Sequence, residues 1–269
     1  MEVRVRLPAG DARRAVFAPL DDGAMRSEAV VRRLGSAIGL GIIVDGEQLP
    51  SELQLAASLN VSTVTLRDAL SDLRARGLVA TRRGRGGGSF VVASEEALTE
   101  LSRGRLRELG STDLRELGDV RAAVSGTAAR LAAERAADSE IERLRETLGR
   151  LAAAPGGTEQ RRIEGRWFID IAAAAQSVRL TREEIELQFE LGQLLWGTER
   201  TEAELAATIA DHHRVVDAIA ARDPATSRRL VEEHVAAVTA QLMDAHVRLT
   251  RRGHRRADHT DAYPEAAGS

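Results

Sequence analysis

The stretch that most constrains what this chain can fold into is LVATRRGRGGGSFVV, residues 78–92. Two β-rich runs, GLVATRR and GGSFVV, are joined through Gly84, Arg85 and Gly86, which reads as a hairpin with a basic tip. Glycine lets a backbone approach a phosphate closely and arginine supplies charge. A glycine loop that holds a nucleotide runs from a strand into a helix, whose N-terminal N–H groups bind the phosphate. Here the loop runs from strand to strand, and neither a P-loop nor a GxGxxG pattern is in frame. The loop reads as a wing that grips the phosphates of a nucleic-acid backbone.

What precedes the hairpin supports that reading. From Met25 to Ile38, apolar residues at Val30, Val31, Leu34 and Ile38 recur at helical spacing, and Gly39 and Gly41 end the pattern. In LPSELQLAASL, Ser51 and Gln54 form a capping-box pair ahead of a short apolar face of Leu53, Leu55, Ala56 and Leu59. After the break LNV, Ser62 is an N-cap for a third helix bearing Leu66, Ala69, Leu70 and Leu73, and Gly77 stops it. Two short helices across such a turn make a helix-turn-helix candidate whose second helix can enter a major groove. The expected DNA contacts are Ser51, Ser62, Thr63, Thr65 and Arg67 at the helix ends, with Arg82, Arg83, Arg85 and Gly86 on the wing. Formal net charge is only −3, so the basicity has to be local; between Arg67 and Val91 six arginines face Asp68 and Asp72.

At 269 residues the chain suits two domains. It has no cysteine, which excludes disulfides, cysteine zinc sites and thiol nucleophiles. No apolar run approaches a membrane span, and the charged N-terminus lacks the core of a signal peptide, so a cytoplasmic location without membrane contact is expected. All 38 basic residues are arginine, a bias that fits a GC-rich genome better than a chemical need. The expected organisation is a loose arm over 1–23, a winged helix-turn-helix over 24–92, and a linker over 93–112 with room for a helix of its own. A helical domain over 113–250 and a disordered tail over 251–269 follow.

Beyond the linker there is no convincing period-2 run. Helices are expected near 113–136, 139–153, 158–176, 181–196, 202–222 and 225–249, with Ser139/Glu142, Thr181/Glu184 and Thr201/Glu204 as capping boxes. Asp223 is an N-cap with Pro224 at the first helical position. The expected fold is therefore mostly α. Four polar residues fall on apolar stripes: Arg121, Glu164, His212 and His234. Each alone is readily a satisfied core or helix-edge side chain, but a buried arginine keeps its charge and needs an anion. Its own stripe offers only Ser125.

The segment LPSELQLAASLNVSTVTLRDALSDLRARGLVATRRGRGGGSFVV resembles the winged helix-turn-helix of the GntR family of bacterial transcription regulators. The likeness spans about residues 25–92. That family commonly has arginine where this chain has Leu53 and Thr63, while Arg67 matches a retained recognition-helix arginine. DLRELGDVRAAVSGTAARLAAERA resembles the opening helix of the FadR-like branch, whose helical FCD domain binds an effector. The expected effector site is Arg121, Ser125, Trp167 and Phe168, and the resemblance implies that Arg121 meets a carboxylate. It also implies zinc or another divalent metal on Glu164, His212 and His234, though the position of one family ligand holds Phe168. The function implied is a ligand-responsive regulator, a homodimer on an inverted-repeat operator and most simply a repressor. The alternatives are a metal-dependent hydrolase or lyase on Glu164, His212 and His234, and an effector-independent DNA binder. HExxH and GxSxG are both absent from the sequence, which argues against the enzyme.

Overall fold

The structure, a computed structural model, describes residues 16–20, 26–92, 94–195, 198 and 200–260. The first helix, α1 (Arg26–Gly39), turns Val30, Val31, Leu34 and Ile38 into the core. Helix α2 (Glu52–Leu59) starts on the expected capping box: Ser51 accepts the Gln54 N–H, and the Gln54 side chain takes the Ser51 N–H at 3.2 Å. Asn60, at φ 55°, makes the left-handed turn into α3 (Thr63–Ala75), where Ser62 Oγ accepts the Thr65 N–H at 3.0 Å. Strands β1 (Val79–Arg82) and β2 (Gly88–Val91) pair antiparallel, Val79 opposite Val91 and Arg82 opposite Gly88. The tip is thus residues 83–87, longer than the three residues expected. Gly87 closes it because a Cβ there would stand 2.5 Å from the Arg82 carbonyl oxygen.

The second half is built from α4 (Glu95–Glu108), α5 (Ser111–Arg135), α6 (Asp138–Ala152) and α7 (Gly157–Ala174). It continues with α8 (Val178–Leu195), α9 (Glu202–Ala220) and α10 (Pro224–Thr260). Helices α5 and α10 run antiparallel at close range; a Cβ on Gly118 would meet Thr239 and one on Gly126 would meet Glu232. The chain is mostly helical, a winged helix-turn-helix followed by a helical bundle, as expected.

Several details differ from the sequence reading. Residues 95–108, placed in the linker, form α4, which is capped by Ser94 and packs on α8 and α10. Ser139 is not a cap, because Glu140 reaches back to the Ala137 N–H at 2.8 Å and starts α6 earlier. Thr181 lies inside α8, its hydroxyl donating to the Ser177 and Ala172 carbonyls, and Glu184 is fully buried instead of capping. Helix α10 passes position 249 and continues to Thr260 where a disordered tail was expected; lone Gly253 costs only about 1 kcal/mol in a helix interior, and the next proline is Pro264. In the N-terminal arm, Val16 is buried and the Leu20 N–H donates to the Leu59 carbonyl at 3.1 Å, so this apolar piece packs on the winged module. The remainder of the arm over 1–15 and 21–23, and the tail over 261–269, lie outside the described residues.

Position of the site follows from the core. One apolar cluster joins α1, α2, α3 and the wing base to Ile169 of α7 and to Ile185 and Phe189 of α8. A second fills the space among α5, α6, α7, α9 and α10. Helix α7 therefore serves both. Its Arg162 donates through Nε to the Gly39 carbonyl at 2.7 Å, gripping the C-terminal end of α1, where carbonyls lack helical partners. Among the described residues, no helix is long and apolar enough to cross a membrane.

Candidate functional site

Two regions collect the residues singled out in the sequence. On the N-terminal module, Ser51 and Ser62 are exposed but occupied as helix caps, and Ser62 Oγ lies 2.8 Å from Thr65 Oγ1. Thr63 and Thr65 are half-buried in the first turn of α3, and Arg67 is exposed, its Nε donating to Glu52 Oε2 at 2.8 Å. Arg83, Arg85 and Gly86 stand exposed at the wing tip, while the Arg82 guanidinium lies 4.3 Å from the centre of the Phe90 ring. Leu53 and Val64 are exposed large apolar side chains, 73% and 64% accessible, at the starts of α2 and α3. Val64 was not singled out, although it stands off the apolar stripe of its helix.

The second region is a buried polar centre inside the bundle. Glu164 of α7, His212 of α9 and His234 of α10 each present one ligand-type atom, all within 4.8 Å of one another. Phe168, one turn beyond Glu164, packs its ring 5.6 Å from His212 and 5.5 Å from His234, and Trp167 lies edge-on to His212 at 4.0 Å. Glu164 Oε2 accepts from Arg200 Nη2 at 2.7 Å and sits 3.6 Å from Arg161 Nη1; its Oε1 is 3.5 Å from His234 Nε2. Arg161 is held in turn by a bond from its Nη2 to Thr198 Oγ1 at 2.9 Å. Arg121 of α5 lies with its guanidinium 4.7 Å from the centre of the Phe168 ring, almost wholly removed from solvent.

Burial and neighbouring charges together set the protonation of each group. Burial pushes the Glu164 carboxyl up, but Arg200 and Arg161 outweigh it and hold the group well below the usual carboxylate range. Burial drives His212 down to about 4, and His234 well below its usual value, so both imidazoles are neutral at pH 7. Burial lowers Arg161 to about 10 and lowers Arg121, against the pull of Glu184 and Glu164. Guanidinium groups nonetheless remain protonated, so both carry their positive charge out of water. Glu184 is raised by burial, though Gln188 Nε2 and Ser125 Oγ each donate to it at 2.7 Å.

Arg121, Glu164, Trp167, Phe168, His212 and His234 thus come together as the sequence suggested. Ser125 does not open toward the centre, because its hydroxyl is committed to Glu184. Arg161, Glu184 and Arg200 were missed. Arg161 precedes Glu164 by three residues on the same face of α7, a spacing that marks it as a neighbour; Arg200 comes from an irregular connection, where no periodicity identifies it. Among the described residues, Arg121 Nε and Nη1, Arg161 Nη1, Arg200 Nη1, both His212 nitrogens, His234 Nε2 and Trp167 Nε1 are buried without a hydrogen-bond partner. The arginine and tryptophan nitrogens are donors without acceptors, whereas each neutral imidazole carries one donor and one acceptor nitrogen.

Comparison with known proteins bears on both regions. Residues 26–90 match the bacterial regulatory proteins of the gntR family, and residues 116–237 match the FCD domain. RmpR of Mycobacterium gastri, named as an HTH-type transcriptional regulator, is 37% identical over 223 residues, 81% of each chain. The chain belongs to the GntR family. Its FCD domain is the bundle that holds the buried centre, and its winged module is the family's DNA-binding element. Among other relatives of this GntR protein, the HTH-type transcriptional repressor NanR of Cronobacter sakazakii is 26% identical over 226 residues, 80% of this chain and 84% of that one. The solved structure of E. coli McbR/YncC aligns over 82% of this chain and 99% of its own, at 21% identity and a TM-score of 0.49. The names of RmpR and NanR are those of transcriptional regulators, not of enzymes.

Proposed function

We propose that this GntR regulator is a cytoplasmic homodimeric repressor that binds an inverted-repeat operator and leaves it when a small organic acid enters the FCD bundle. The observation that carries the reading is the buried surplus of cationic donors around Arg121, in a domain whose family role is effector binding. A carboxylate there would take the bonds that Arg121 Nε and Nη1 lack. On the DNA side, Arg67 and the Thr63–Thr65 turn meet base edges, and Arg82, Arg83, Arg85 and Gly86 meet phosphates; Ser51 and Ser62 fix the helix ends that present them. Repression agrees with the name of the NanR relative. The hydrolase or lyase reading loses its base, because Glu164 is tied to two guanidinium groups and the histidines are buried among rings.

The test is selection of tight-binding fragments from the source genome by the purified full chain at two salt concentrations, followed by release with organic acids. A recurring inverted repeat, lost on adding an acid, is the expected result. Only sequence-blind, salt-sensitive binding would sink the regulator reading.

A further inference from the structure

We propose that this protein binds its effector acid without a metal, and that Arg200, with Arg161, supplies at Glu164 the positive charge that a metal would bring. The proposal rests on the effector reading above and narrows it to an acid recognised by guanidinium groups through its carboxylate alone.

Glu164, His212 and His234 are of a donor type that zinc accepts. Three features of the same site oppose a dication. First, Glu164 Oε2 is already engaged by Arg200 at 2.7 Å and faced by Arg161 at 3.6 Å, and all three side chains are more than nine-tenths buried. Second, the charges do not balance: Arg121, Arg161 and Arg200 contribute three positive charges, and Glu164 and Glu184 two negative ones at most. At least one positive charge is in surplus before any ion enters. A dication would raise the surplus to three or more in a buried volume, where uncompensated charge is costly. A monocarboxylate lowers it by one, to zero when Glu164 and Glu184 are both ionised. Third, the unpartnered buried groups on Arg121, Arg161 and Arg200 are N–H donors, which need oxygen acceptors and offer nothing to a metal. The aromatic ring of Phe168, beside both imidazoles, adds no ligand atom either.

There is also a way in. Arg161, Thr198 and Arg200 line two cavities, of about 470 Å³ and about 390 Å³, a size suited to small organic molecules. The larger is also lined by Arg103 and Arg248, with Glu204 and Asp244 opposing them. Arg161 and Arg200 therefore lie between these cavities and Glu164, so an entering acid meets them first. The ion pairs with Glu164 then become the bonds that an effector carboxylate shares or displaces.

Selectivity follows from the chemistry. A metal favours acids with a second oxygen placed to chelate it, such as 2-hydroxy acids, whereas a guanidinium fork pairs with a carboxylate by itself. Simple monocarboxylates and their 2-hydroxy counterparts should consequently bind alike.

The test uses the full chain, loaded with zinc chloride and desalted, then assayed for metal content. It is next titrated by calorimetry with propionate, butyrate and hexanoate and with the corresponding 2-hydroxy acids, with and without chelator. Expected are only trace zinc, acid binding unaffected by chelator, and no systematic preference for the hydroxy acids. Arg200→Gln should weaken acid binding by about tenfold or more, and Arg200→Lys, which keeps the charge without the fork, should fall between. Should either variant fail to fold, the zinc and chelator measurements on the natural chain decide alone. Arg200→Gln combined with Phe168→His should retain zinc, since it frees Glu164 and adds a donor. Stoichiometric zinc in the natural protein, or acid binding that appears only with zinc, would overturn the metal-free site while leaving the effector reading intact. Binding of no acid under either condition would overturn both.

Discussion

Arg121 and Glu164 sit in the same buried centre and should respond oppositely to substitution. Arg121 keeps a buried charge with Nε and Nη1 unsatisfied, whereas Glu164 is the shared anion for Arg161 and Arg200. Replacing a poorly compensated buried ion with an apolar side chain of similar size is commonly neutral or stabilising, by about 1–4 kcal/mol. Arg121→Met is therefore expected to hold or raise the melting temperature of the ligand-free protein and to abolish its response to acid. Glu164→Gln strips two guanidinium groups of their partner and should cost about 3–5 kcal/mol in urea unfolding. Equal destabilisation by the two substitutions would mean that Arg121 is as well compensated as Glu164. The histidines give a pH dependence of definite sign. His212 falls from its ordinary 6.5 to about 4 because it is buried, so between these values the unfolded chain binds a proton that the folded chain does not. Stability from this group is complete above its ordinary value and is lost as pH falls toward 4, by up to about 1.4 kcal/mol per unit for each such histidine. Urea midpoints across this range should fall with acid in the natural chain and less steeply in His212→Gln; parallel slopes would count against a neutral buried imidazole. The inward side of Arg121 and His212 was legible from helical spacing. That Glu184 is buried was not, because a threonine three residues before a glutamate has the pattern of a helix start, and only packing shows that the helix is already under way.

At the level of elements, the wing and helix α7 are where the proposed function is most open to test. The wing is held by β1, β2 and the Gln48 amide, which donates to the Gly87 carbonyl at 3.0 Å, and its tip closes only because position 87 has no side chain. Gly87→Ala puts a Cβ 2.5 Å from the Arg82 carbonyl oxygen and must deform the tip, far from the core of α1–α3. Operator affinity should fall, and thermal unfolding should change little. Replacing Arg82, Arg83 and Arg85 together with alanine should flatten the plot of log affinity against log salt by about 0.9 for each phosphate that the wing no longer neutralises. An unchanged slope would place the wing away from DNA. Hairpin, helix-turn-helix and most bundle helices were readable because their caps and turns are local: Ser51 with Gln54, Thr201 with Glu204, and Asp223 before Pro224. What escaped was set at a distance. The packing of α4 depends on α8 and α10, and Arg200 reaches Glu164 from outside the helices, where no periodicity places it.

At the scale of the whole molecule, the buried centre and the DNA-binding module are joined through successive residues of one helix. Arg161 faces Glu164, and Arg162 holds the Gly39 carbonyl at the end of α1; nearby, Ile169, Ile185 and Phe189 share the core of the winged module. An acid that competes for Arg161 therefore acts on the helix against which the winged module packs. Such coupling is reciprocal: if acid weakens operator binding by some factor, operator must weaken acid binding by the same factor. Arg162→Ala removes the grip on α1 without touching the ion pairs of Glu164. It should reduce both factors together, measured as operator affinity with and without saturating acid and as acid affinity with and without operator. Coupling that persists undiminished in Arg162→Ala would mean that the shared apolar core transmits the change without this hydrogen bond. The two factors must fall by the same amount, so a drop in one and not the other would mean that one of the affinities was not measured at equilibrium.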